Sequence, residues 1–95
     1  MTIIYGDPPE DGAVYLDEHH AYVLLKEHDR DAWAGITEYH WTGERWCAGF
    51  VPFKSHNPEY GWDVETLDPL TLSPSLLCRL CDSHGFIRSG AWVPA

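Results

Sequence analysis

The chain has 95 residues, and its 6 Lys and Arg against 15 Asp and Glu give a net charge of −9. That length suits one domain, residues 1–95, around one small core. So few cations exclude general binding to nucleic acid, which needs Lys and Arg to neutralise phosphates. No apolar run approaches the ~20 residues of a membrane span, and no basic segment leads into an apolar one as in a secretory leader, so the expected location is cytoplasmic, with no membrane association.

The opening Thr2-Ile3-Ile4-Tyr5 is β-branched and aromatic, and Gly6-Asp7-Pro8-Pro9 ends it as a turn. Ala13 to Leu16 forms a second short strand. His19 and His20 fall in polar punctuation and, like His28, read as solvated loop histidines. Ala21 to Lys26 reads as a strand on its Tyr and Val. Ala34 to Trp41 alternates, Thr42-Gly43-Glu44-Arg45 turns, and Trp46 to Phe53 returns, which makes the clearest hairpin of the chain. Lys54 to Gly61 is a loop, and Asp68-Pro69 marks a further break.

Ser73-Pro74 carries the signature of a helix start, with Ser as N-cap and Pro in the first turn. Leu76, Leu77 and Leu80 then share one face, and Gly85 stands where a C-terminal cap belongs. These features predict a helix over about 74–83. Phe86-Ile87-Arg88 and Ala91-Trp92-Val93 flank Ser89-Gly90 as a tight C-terminal hairpin. The expected fold is α+β: a small antiparallel sheet, one short helix and a terminal hairpin.

Chemistry concentrates near the end. Cys78, Cys81 and His84 recur at a spacing of three, which places all three on one side of a helix or around one knuckle-like loop. Zinc takes tetrahedral Cys and His sets, so a fourth ligand is needed. A hairpin turning about Gly43-Glu44 sets His40 opposite Cys47, and directly opposed residues project to one face. Cys47 is the preferred fourth ligand and His40 the alternative. Three cysteines cannot close into disulfides without remainder, and grouped with a His they fit a metal site in a reducing compartment. A thiolate-rich Cys3His set leaves no open position, so the Zn2+ expected here is structural. No nucleophile elbow, phosphate-cradling glycine loop or deaminase signature accompanies it.

The stretch DPLTLSPSLLCRLCDSHGFIRSGAWVPA resembles the end of small uncharacterised proteins encoded by bacteria and their phages. The resemblance is carried by Leu72-Ser73-Pro74-Ser75, Cys78, Cys81, His84-Gly85-Phe86-Ile87 and Gly90-Ala91-Trp92, with Cys47 in RWCAGFVPF upstream. It covers roughly the last half of the chain. It implies a phage or bacterial source, a metal-supported small fold and an accessory role in host takeover or defence.

The functional expectation is a non-enzymatic, zinc-stabilised protein that binds another protein. Its acidity favours a basic partner, including one that itself binds nucleic acid. Trp33, Trp62 and Trp92 are the candidate anchors, because Trp is enriched at interface hot spots. A virion accessory subunit and a small zinc enzyme are the alternatives.

Overall fold

The computed structural model describes residues 8–95 and the backbone of Ile3–Tyr5. Thr2 and the Gly6-Asp7 part of the expected first turn lie outside the described residues. Ten strands are present among them: β1 (Ile3–Tyr5), β2 (Val14–Asp17), β3 (His20–Lys26), β4 (Trp33–Trp41), β5 (Trp46–Pro52), β6 (Asp63–Leu67), β7 (Leu70–Ser73), β8 (Leu76–Leu77), β9 (His84–Arg88) and β10 (Ala91–Pro94). They form a five-stranded sheet in the order β1-β5-β4-β3-β2, a three-stranded sheet β10-β9-β8 and a two-stranded ribbon β6-β7. Every strand pairing within the sheets is antiparallel. The fold is therefore all-β, which corrects the expected α+β class. Among the described residues no helix is long and apolar enough to cross a membrane.

β4 and β5 form the expected hairpin, with both faces covered: residues 34–36, 38–40 and 47–49 are each buried in succession. His40 pairs with Cys47 and Trp41 with Trp46, in the register expected for a turn at Gly43-Glu44. β3 continues the same rows, so that His20, His40 and Cys47 lie side by side across three strands. The next rows on that face are Tyr22, Glu38 and Gly49, then Leu24, Ile36 and Val51. The apolar rows meet Leu70, Leu72, Leu76 and Ile87 from the two smaller sheets, and these make the main core. Ala21, Tyr39 and Ala48 form a minor cluster on the opposite face, one residue out of phase, as strand geometry requires.

The helix expected over about 74–83 is absent, and the leucines show why. Leu76 is 2% exposed, while Leu77 and Leu80 are 47% and 55% exposed. One residue inward and its neighbour outward is strand behaviour, and β8 pairs with β9 through Leu76–Gly85 and Leu77–His84. Ser73 ends β7, and its peptide bond to Pro74 is cis. Beyond β8 the chain curls: the Cys78 N–H donates to the Ser83 carbonyl and the Asp82 N–H to the Cys78 carbonyl, both at 2.8 Å. Asp82 takes a left-handed φ of 61° to complete the curl. The break expected at Asp68-Pro69 is the turn of the β6-β7 ribbon.

The C-terminal hairpin forms where expected, with Ser89 (φ 50°) and Gly90 (φ 74°) at its turn, the pair of positive φ values that matches strand twist in a two-residue loop. Gly85 serves a different need. A Cβ there would lie 2.5 Å from the Trp92 ring, so glycine lets the indole lie flat against the sheet. Trp92 then stacks on His20 with centroids 4.1 Å apart and planes 10° from parallel. His20 is thus a half-buried strand residue, with its Nδ1 2.9 Å from Asp17 Oδ1, and not the solvated loop histidine expected.

A surface knot fixes the β3-β4 loop. Arg30 donates from Nε and Nη2 to the Glu27 carboxylate, and His56 Nδ1 lies 2.8 Å from the same group. The Arg30 hydrogen bonds, then that of His56, hold the Glu27 carboxyl at about 2, below its ordinary 4.5. A depressed carboxyl stabilises the fold above its unfolded value, and that contribution fades as pH falls from about 4.5 through about 2. Glu27→Gln is expected to lower the urea midpoint at pH 7 and to lower it less at pH 4. Urea melts of both proteins at the two pH values check this.

Candidate metal centre

Four donor side chains converge between the large sheet and the C-terminal sheet. His40 comes from the end of β4 and Cys47 from the start of β5, opposed in register. Cys78 and Cys81 come from the curl after β8. One atom from each lies within 4.8 Å of all the others. All three cysteines are free; Cys47 and Cys78 are buried and Cys81 lies at the exposed rim. A recess of about 280 Å³ lined by Thr42, Arg45 and Leu80 opens over Cys47 and Cys81.

The curl is shaped around sulfur. Backbone groups of Leu80 and Cys81 hydrogen-bond the Cys78 side chain, and that of Ser83 bonds Cys81. N–H dipoles aimed at a sulfur favour the thiolate. Burial alone raises the Cys78 thiol, but these N–H donors and His40 outweigh it and bring it below the ordinary thiol value. Burial and the neighbouring Cys78 and Cys47 push Cys81 up to about 11, against the Ser83 N–H. Burial likewise raises Cys47, with Cys78 adding to it. Three sulfurs this close cannot all ionise unless a cation sits among them, and a bound metal deprotonates a coordinating thiol outright.

His40 is 3% exposed and both ring nitrogens are engaged. Nδ1 lies 2.9 Å from Glu38 Oε1 and Nε2 lies 3.0 Å from Cys81 Sγ. Burial disfavours the imidazolium, but the Glu38 carboxylate outweighs it and raises the His40 value. With the proton of Nδ1 donated to Glu38, the Nε2 lone pair faces the sulfurs. That is the tautomer a metal ligand requires.

The donor set fits a tetrahedral ion. Zn–S bonds of about 2.3 Å and Zn–N bonds of about 2.0 Å set ligand atoms ~3.5–3.8 Å apart, and the four donors, from 3.0 Å apart for His40 and Cys81 to no more than 4.8 Å, are near that size. The group contains Cys47, Cys78 and Cys81, with His40, the alternative, beside them. His84 stands elsewhere: it is exposed on β9 with Nε2 2.8 Å from Ser75 Oγ. The even spacing of Cys78, Cys81 and His84 has meaning only on one helix or loop turn, and β9 carries His84 out of the curl. His84→Ala is expected to keep the metal stoichiometry and affinity of the parent, whereas His40→Ala loses at least ten-fold in affinity. Titration against a chromophoric chelator separates the two.

The expected partner anchors are half-buried. Trp33, Trp62 and Trp92 pack against the main core; Lys26 Nζ caps Trp33 at 5.3 Å, and Trp62 Nε1 donates to the Ser75 carbonyl. Small cores recruit large rings because each buries much area. The more exposed indole is Trp41, 37% exposed and edge-on to Trp46. Glu38 escaped the sequence reading, although Glu38 and His40, two apart on one strand, must share a face.

Comparison of the chain with protein-family models, with curated proteins and with solved structures finds no match in any of the three.

Proposed function

We propose that the chain is a zinc-stabilised protein-interaction domain without enzymatic activity. The observation that carries this reading is the convergence of His40, Cys47, Cys78 and Cys81 between two sheets. Four protein donors fill a tetrahedral Zn2+ and leave no position for water or substrate, the mark of a structural centre. The carboxylate buried beside it, Glu38, is engaged with His40 and does not serve as a general base. When bound, the ion supplies a rigid cross-link between the sheets, and its binding free energy becomes folding free energy. Free thiols in such a centre suit a reducing compartment such as a cytoplasm.

The net charge of −9 favours a basic protein partner, and the exposed edge of Trp41 offers an aromatic contact. The likeness of the C-terminal half to small phage and bacterial proteins fits an accessory factor directed at a host protein. A second reading, a virion subunit, draws on the exposed outer strands: Val14 and Tyr15 on β2, Val64 and Leu67 on β6, which could pair with further copies.

Metal analysis of protein purified under reducing conditions tests the centre; one zinc per chain is the expected result, and metal-free folded protein overturns it. Size measurement of the purified protein, alone and mixed with a basic protein of the host, separates a monomeric binder from a self-assembling subunit.

A further inference from the structure

We propose that Glu38 is a positioning residue of the metal centre: through His40 Nδ1 it fixes which ring nitrogen faces the ion and strengthens that nitrogen as a donor. The inference rests on the zinc reading of the same cluster.

Glu38 is a carboxylate at 2% exposure, where an acid is seldom found without a partner. Its partner is His40, with Nδ1 at 2.9 Å from Oε1 and 3.3 Å from Oε2. Glu38 and His40 stand two apart on β4, so both side chains leave the same face of a rigid strand. The row neighbours of Glu38 are Tyr22 on β3 and Gly49 on β5.

A backbone carbonyl could hold the same tautomer without a charge being buried. The retained charge therefore has an effect of its own. A carboxylate on the Nδ1 proton draws that proton toward itself and leaves more electron density on Nε2. Nε2 is the atom aimed at the sulfurs, 3.0 Å from Cys81 Sγ. Ring rotation is blocked at both ends. Imidazole ligands held by a carboxylate lose about 10–100-fold in metal affinity when that carboxylate is removed.

The test measures Zn2+ affinity by chelator competition for the parent, Glu38→Gln, His40→Cys and the double variant. Glutamine keeps the shape and a neutral acceptor but loses the charge. Glu38→Gln is expected to weaken binding about 10–100-fold when His40 is present. In the His40→Cys background there is no second ring nitrogen to hold, so the same change should have no weakening effect. Equal affinity of Glu38→Gln and parent overturns the proposal, and so does an equal loss in both backgrounds, which marks a general loss of fold. A parent that binds no zinc overturns the zinc reading as well, so the two failures are distinguishable. The ring-nitrogen NMR signals of His40 in the zinc-loaded parent give a readout free of any variant. Metal at Nε2 with the proton on Nδ1 supports the assignment; metal at Nδ1 overturns it.

Discussion

Cys78→Ser is expected to lose its zinc and its cooperative fold together. Cys78 is 2% exposed and accepts hydrogen bonds from the curl it organises. A hydroxyl binds zinc far more weakly than a thiolate, and it leaves two other buried donors without a centre. Structural zinc contributes about 10–16 kcal/mol of apparent binding free energy in small metal-dependent domains. A domain of this size holds only about 5–15 kcal/mol of net stability. Loss of one ligand therefore removes a share comparable to the whole. The expected result is a protein without near-ultraviolet circular dichroism at 25 °C, and the parent in excess chelator should match it. A Cys78→Ser protein that melts cooperatively at the parent's midpoint would show that the core alone holds the sheets together.

The second large effect separates neighbours in sequence. Leu76→Ala is expected to destabilise the zinc-loaded protein by about 2–5 kcal/mol, since it empties a buried site in a close-packed core. Leu77→Ala, on the outer side of the same strand, should stay within about 0.5 kcal/mol. Urea midpoints at a fixed zinc concentration read both. A helix bearing Leu76, Leu77 and Leu80 on one buried face would make the two losses alike. Comparable losses would therefore restore the helix and remove β8.

Those leucines also explain where sequence reading succeeds and where it stops. The β4-β5 hairpin is legible because two long strand-forming runs flank an unambiguous turn, and the opposition of His40 and Cys47 follows from that turn alone. β8 has two residues, too few to show any period, and Ser73-Pro74 with spaced leucines satisfies every local rule for a helix. What decides against the helix is long-range: pairing with β9 and two cysteines that must reach the large sheet. His20 is a similar case. The residues before it are polar, and the ring that stacks on it, Trp92, arrives from the far end of the chain. Three of the four clustered donors are the cysteines read from the sequence. His84, expected beside Cys78 and Cys81, is carried off on β9, and His40 and Cys47, weighed as alternatives for one place, both stand in the cluster. Glu38 was within reach, because an acid two residues before a strand histidine shares its face.

The four donors come as two local pairs, His40 with Cys47 across a hairpin and Cys78 with Cys81 around a curl. Each pair is a half-site built from residues close together in the chain. Joining the halves closes the ~30-residue loop between Cys47 and Cys78, and a cross-link over such a loop removes about 3–4 kcal/mol of unfolded-chain freedom. Within that loop lie the β6-β7 ribbon and the leucines that complete the core. A metal held by both pairs would tie the two ends of the segment that bears Leu70, Leu72 and Leu76.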